Sequence, residues 1–326
     1  MVANAKRWSW MDRAATDPFT LQLVDEAYQL PDIGFQQISA LAPHIVLIGD
    51  PGQIDPIITC PIERWASERD GPHVPCPDAT LARYPFLRPI TLPVTRRLPP
   101  DTVRVIQPAF YPTLAFTALV PPGGRALSTQ VGGMLPLDRA IDLACRGASL
   151  VALEAPARVT GEVDDDLARA IVGVIERLFA RGAAVRDGQT TRPLEPAMVG
   201  VVCAHRTQAA AVRDRLPSAL ASILVETANR YQGLERAVML VYHPLSGRVD
   251  ASAFHLDAGR LCVALSRHRV VCFVFARAGI ADLLRRYAPS GKRVLGIPTD
   301  PEYLGWRAHL TVLTALQKGG RVVPIR

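Results

Sequence analysis

Short continuous apolar runs alternate along this chain with stretches whose apolar residues recur every three or four positions. The first pattern is that of a strand buried on both faces of a parallel sheet, the second that of an amphipathic helix. Strands are expected over 19–24, His44–Ile48, Ser149–Glu154, Met198–Cys203, Ile223–Val225, Val238–Tyr242 and Val270–Phe275. Helices are expected over Asp32–Ala42, Asp138–Arg146, Asp164–Arg181, Gln208–Leu216, Arg260–Arg267 and Ile280–Tyr287, with a short one near His309–Leu316. In Asp164–Arg181 the residues Leu167, Ile171, Val174, Ile175, Leu178 and Phe179 share one face, and Gly182 is a suitable terminator. Strand and helix in alternation imply an α/β fold with right-handed crossovers. Residues 51–93 are proline-rich and read as a long loop with a short helix, ending in an extended crossing at Arg88–Val94.

Chemistry gathers where strands end. The run Leu21, Leu23, Val24 stops at two carboxylates, Asp25 and Glu26, and the run His44–Ile48 stops at Gly49-Asp50-Pro51-Gly52-Gln53. In open α/β sheets ligands sit at the carboxyl ends of the strands. Paired acids there suit metal–phosphate chemistry, one holding Mg²⁺ and one orienting a water. The plainer alternative is a helix start, where Asp and Glu complement the macrodipole.

Composition narrows the picture further. The 326 residues are 49% hydrophobic and 21% charged, enough for two ordinary domains with sizeable cores. A net charge of +7 permits a polyanionic partner. The basic residues are nearly all arginine, lysine occurring only at Lys6, Lys292 and Lys318, and no basic block stands out. Six cysteines without a C-x-x-C pair read as free thiols in a reducing compartment and disfavour a zinc site. No signal peptide and no spanning apolar run is present, so a soluble, cytoplasmic protein without a membrane partner is expected.

Six short segments then fall in one order. Val24-Asp25-Glu26-Ala27-Tyr28-Gln29 resembles the DEAxQ box of superfamily 1 helicases, and Gly49–Ile54 their GDxxQL motif. Leu92–Pro100 is similar to the Gln-Tyr-Arg box that opens the second RecA-like domain, and Val199–Gln208 to the strand-then-PYxxQ box. Val225–Glu235 resembles motif V (VxTxDxFQGxE), and Gly259–Arg269 resembles motif VI (RLNVALTRAR). The resemblance is to the 5′-to-3′ branch and covers about residues 20–278. It implies two RecA-like parallel-sheet domains, the first incomplete at its N-terminal side. The expected division is 1–92, 93–280 and a tail at 281–326.

By this resemblance ATP and Mg²⁺ lie in an inter-domain cleft. Asp25 holds the metal, Glu26 polarises the attacking water and Gln53 senses the γ-phosphate. Arg97 and Arg267 act as arginine fingers, Glu235 accepts from the ribose, Gln232 and Gly233 allow close backbone approach, and Arg260 joins the cofactor-binding set. His205 and Thr227 fall where the family touches single-stranded DNA or RNA. Trp8, Trp10 and Trp65 are candidates for stacking on bases or for packing.

The resemblance has a gap. No G-x-x-x-x-G-K-[ST] loop, whose backbone N–H groups and lysine cradle phosphates, occurs in the 326 residues. Ser290-Gly291-Lys292 lacks the first glycine and follows motif VI. Three explanations stand: a truncated reading frame, a split helicase completed by a polypeptide that carries the P-loop, or a degenerate homologue serving as a non-catalytic interaction module. The Gln-Tyr-Arg box also has Thr95 and Arg96 in place of its Gln and Tyr, and motif V has Asn229 and Arg230 where Asp is usual.

Overall fold

The computed structural model describes residues 19–59, 61–65, 67–286 and 301–325. Trp8, Trp10, Cys60 and the Ser290-Gly291-Lys292 fragment lie outside them. The chain divides into two compact units, Met1–Thr91 and Leu92–Arg326.

In the first unit, strand β1 (Leu21–Val24) pairs in parallel with β2 (His44–Leu47). The connection holds helix α1 (Asp32–Gln36) and a 3-10 turn at Ser39–Leu41, in place of one helix from Asp32 to Ala42. The run is interrupted at Gln37-Ile38, and Ile38 bonds back to the Phe35 carbonyl. Helix α2 (Cys76–Arg83) closes the unit. Val24, Ala27, Phe35 and Cys76 form its small core, and Arg83 clamps the buried Asp32 carboxylate with bonds of 2.9 and 2.6 Å.

The second unit opens with β3 (Val94–Thr95), helix α3 (Pro100–Phe110), β4 (Thr117–Ala118) and β5 (Arg125–Ser128). Helix α4 (Pro136–Cys145), β6 (Leu150–Ala155) and helix α5 (Asp165–Ala180) follow. The hairpin of β7 (Ala184–Asp187) and β8 (Thr190–Pro193) comes next. Then come β9 (Val199–Cys203), α6 (Arg206–Arg213), β10 (Leu224–Thr227), α7 (Ala228–Tyr231) and β11 (Arg236–Tyr242). The chain ends with α8 (Ala253–Leu256), α9 (Ala258–Leu265), β12 (His268–Arg277), α10 (Ile280–Arg286), α11 (Pro301–Lys318) and β13 (Val322–Pro324).

Six of these strands form one all-parallel sheet in the order β10-β9-β11-β12-β6-β13, the parallel α/β architecture that the alternating pattern implied and consistent with a RecA-like domain. Its four inner strands β9, β11, β12 and β6 are largely buried on both faces, and the apolar stripe of α5 lies in the main core with Val151, Leu153, Val201 and Leu240. The Asp164 side chain accepts the Asp166 and Leu167 N–H groups and caps α5, while Gly182 at φ +60° supplies the left-handed stop.

Three features depart from expectation. The segment expected as a tail is part of the second unit: β13 adds a strand beside β6, and α11 extends over Pro301–Lys318 and packs on α3. Strands β5, β7 and β8 form a separate antiparallel sheet that alternation did not signal. Helix α9 stops at Leu265, so Arg267 lies in the turn before β12, where its carbonyl already accepts the Arg236 N–H.

Four histidines are buried in this unit. Burial pushes the imidazoles of His243 and His255 down to about 4, that of His268 to about 3, and that of His309 well below its ordinary value. A base whose folded pKa is depressed is protonated first in the unfolded chain. Stability is therefore fully present above about pH 6.5, the ordinary histidine value, and falls as pH drops toward 4. Urea midpoints measured from pH 7 to 4.5 should decline, and His243→Gln should flatten that slope.

Candidate functional sites

In the first unit, the backbone itself brings the two acidic and glycine-rich segments together. The Ile48 N–H bonds to the Val24 carbonyl at 2.9 Å, and the Ala27 N–H to the Ile48 carbonyl at 2.8 Å. A Cβ on Gly49 would stand 2.9 Å from the Tyr28 ring and 3.1 Å from the Ala27 nitrogen, so only glycine closes this approach. Asp25 is exposed, and one of its oxygens accepts the Glu26 N–H at 2.9 Å. Glu26 sits at φ 51°, the only non-glycine residue with positive φ among the described residues. A non-glycine residue held there stores about 1 kcal/mol or more, and such strain concentrates at functional sites. Gln53 is turned inward on its own loop: its Nε2 donates to Asp50 at 2.7 Å, while the other Asp50 oxygen accepts the Gly52 N–H at 2.9 Å.

Mg²⁺ on a nucleotide takes one or two carboxylates and keeps phosphate and water ligands. The exposed Asp25 fits such an ion. Among the described residues no group of three or more His, Cys, Asp or Glu is placed to hold a metal by itself.

In the second unit the expected residues sort to opposite ends of the sheet. At the amino ends of β11 and β12, Glu235 bonds Arg97 at 3.0 Å through one oxygen and Arg269 at 2.7 Å through the other. Arg269 also reaches Asp187 at 2.5 Å, and Asp187 binds Arg125 at 2.8 Å. Arg125 returns to the carbonyls of Arg96 and Arg97, at 3.0 Å to the former. Thr95 accepts the Arg97 and Leu98 N–H groups at 3.4 Å, and Pro100 then starts α3, so the arginine is placed by a strand end and a helix start. Burial works against ionising Glu235 and Asp187, yet their arginine partners hold both carboxyls below the ordinary range. Arg267 is almost fully buried, at 1% exposure. Gly233 adopts φ +78°, and a Cβ there would meet open space. Tyr231, two residues earlier, packs on Gly200 and donates to the Leu224 carbonyl.

At the carboxyl ends, His205 follows β9 and Thr227 ends β10. The His205 ring stacks on Phe254 with centroids 5.0 Å apart, and its Nε2 meets that of His255 at 2.9 Å. Burial lowers the His205 pKa, against the pull of Glu162. Arg260, grouped by resemblance with Gln232–Glu235, belongs to this second cluster. It lies over the Phe254 ring at 4.3 Å, bonds Asp257 at 3.2 Å and contacts Asn229 at 3.4 Å. Arg269, Arg125, Asp187 and Phe254 were not singled out from sequence. Motif VI already contained Arg269, but nothing local in the β7–β8 hairpin marks Asp187. Trp65 is half-buried with Arg64 at 5.8 Å over its ring.

Residues 162–279 match the family model AAA_12, an AAA domain. No curated protein matches the chain. Solved structures similar to it include the helicase nonstructural protein 10 of an arterivirus, at 13% identity and TM-score 0.37, over 78% of this chain and 38% of that one. The same viral helicase in complex with DNA is similar at 13% identity and TM-score 0.38, over 79% of this chain and 40% of that one. The chain spans about two-fifths of the length of these viral proteins.

Two measurements check this geometry. Glu26→Gly should raise stability by about 1 kcal/mol relative to Glu26→Ala in urea unfolding, because glycine takes positive φ without strain. A double-mutant cycle on Arg97→Ala and Glu235→Ala should return a coupling of about 0.5–1 kcal/mol, discounted for half-exposed partners.

Proposed function

We propose that this chain is part of an ATP-dependent superfamily 1 nucleic-acid helicase or translocase. The P-loop comes from outside these 326 residues. The observation that carries the reading is the sorting of the second unit: Arg97, Glu235 and Arg269 at one end of the sheet, His205, Thr227 and Arg260 at the other. A translocating motor needs its fuel and its track on separate surfaces of one rigid sheet, so that closure on one is felt at the other.

In this reading Asp25 holds Mg²⁺, Glu26 orients and deprotonates the water, and Gln53 leaves Asp50 to meet the γ-phosphate. Magnesium supplies charge neutralisation on the phosphates when bound. Glu235 accepts from the ribose hydroxyls, which frees Arg97 for the transferring phosphoryl group. Such an arginine contributes about 10³–10⁵ in rate in GTPases. The side chains of Arg97 and Arg269 are partly exposed, whereas Arg267 must leave its buried position to act as a finger. The track is single-stranded DNA or RNA, held at the carboxyl ends. No helix among the described residues is long and apolar enough to cross a membrane, and the expected compartment is the cytoplasm.

A second reading is a non-catalytic module that binds nucleic acid or protein, and the absent glycine-lysine loop favours it. The readings part in one assay. Joined to a P-loop-bearing segment, the chain should hydrolyse ATP faster with single-stranded nucleic acid, and Glu26→Gln should reduce turnover by about 10²-fold or more. No turnover in the joined protein favours the module, and unchanged turnover in Glu26→Gln removes Glu26 as the base.

A further inference from the structure

Strand β6 breaks its own pattern. Leu150–Ala155 reads LVALEA, a continuous apolar run except for Glu154. A strand inside a parallel sheet has no polar side on which to carry a carboxylate. Val151, Leu153 and Ala155 face the main core with α5, so Ala152 and Glu154 face the opposite way, toward α10 and α11. Register partners share that face, and those beside Glu154 are small: Ala276 on β12 and Pro324 on β13. They leave a cavity of about 240 Å³ between sheet and helices, walled by Ala152, Val274, Ala276, Ile280, Val312 and Leu316.

Among the described residues the half-buried Glu154 carboxylate has no ion-pair or hydrogen-bond partner, and burial pushes its pKa up. Asp138, Asp164, Asp187 and Glu235, other carboxylates of this unit, each hold an arginine. Arg277, opposite Ala155 in the register, turns to the other face and is taken by Asp164. His243 also lines the cavity, but it is not a cation. Its Nδ1 accepts the Leu245 N–H at 3.2 Å, so its proton is on Nε2, which faces His309 Nδ1 at 3.4 Å. At the exposed rim, Asp282 and Arg285 pair with each other. A buried carboxylate without a partner is costly, and one that lines a cavity is a candidate for function.

The position in the sheet favours a ligand too. After β6 the chain turns to α5 on one face, and after the neighbouring β12 it turns to α10 on the other. Where neighbouring strands part in this way, the crevice outside their carboxyl ends is where α/β sheets bind ligands. Strands β12 and β11 separate it from β9, which His205 follows.

Size and lining narrow the choice. At about 30 Å³ per water-sized group, the space takes roughly eight non-hydrogen atoms. A single carboxylate makes no site for Mg²⁺ or Ca²⁺, which take about six or more oxygens. A guanidinium brings several N–H donors that apolar walls leave unmet. An ammonium is compact, and a short alkyl chain behind it matches the walls. We infer that this cavity binds a small primary alkylammonium ion, its charge on Glu154 and its chain along Val274, Val312 and Leu316. No residue given a role in the motor lines the cavity, so the site and the motor stand or fall separately.

The test is calorimetric titration of n-pentylammonium chloride into the full chain at about pH 7.5, where an alkylamine is charged. Pentylammonium should bind with a Kd of about 1 mM or tighter, and the neutral 1-pentanol about tenfold more weakly or worse. Glu154→Gln keeps the shape and should weaken pentylammonium about tenfold or more. The same substitution should raise the urea midpoint of the unliganded chain, because it removes an unpaired buried charge. No binding at about 20 mM pentylammonium overturns the proposal. Equal binding of pentanol, or binding unchanged in Glu154→Gln, overturns it in favour of an apolar cavity that reads no charge. A lowered urea midpoint in Glu154→Gln overturns it as well, since the carboxylate then serves the fold.

Discussion

One carboxylate holding two guanidinium groups organises the amino end of the large sheet. Glu235 immediately precedes β11, and its two oxygens fix Arg97 and Arg269, which arrive from separate parts of the chain. Alone, a half-exposed ion pair contributes little. This one continues through Asp187 to Arg125, whose side chain is 5% exposed and which grips the backbone that carries Arg97. The network therefore sets a position rather than merely adding stability. Three arginines against two carboxylates leave the network with one net positive charge.

The remainder of the second unit holds that end steady. Thr102 of α3 shares hydrogen bonds of 2.8 Å with Ser149 and His268, and Asp101 accepts the Ser149 N–H at 3.0 Å. The helix after Arg97 is thereby tied to the starts of β6 and β12. At the far end, Arg277 forms a buried pair with Asp164, which also caps α5, so one carboxylate joins helix start and strand end. Removing either member of such a pair strands a buried charge.

Much of this was legible in the residues. Continuous apolar runs gave the parallel strands because a strand covered on both faces has no polar side to show. The 3.6-residue stripe marked α5, and the glycine stop marked its carboxyl end to within a residue. Strands β5, β7 and β8 escaped because they are short and β8 is exposed throughout, leaving no period to detect. Helix α3 was hidden by Pro99-Pro100 before it and Pro108 within it. Site residues at strand ends were visible from neighbouring apolar runs. The partnership of Arg97 with Glu235 spans 138 positions, and nothing local encodes it. Arg260 was grouped with Gln232–Glu235 by resemblance, whereas its contacts are with Phe254, Asp257 and Asn229, which sequence order does not reveal.

The sheet's last strand has a consequence for how this protein is made. Val322–Pro324 pair with Ala152–Glu154, so one flank of β6 lies open until that much later segment has been made. Until Val322–Pro324 have left the ribosome, the nascent sheet carries an apolar strand with one flank unpaired, which invites pairing between chains. Closing the β6 flank is therefore a late event, one that competes with pairing between unfinished copies of the chain.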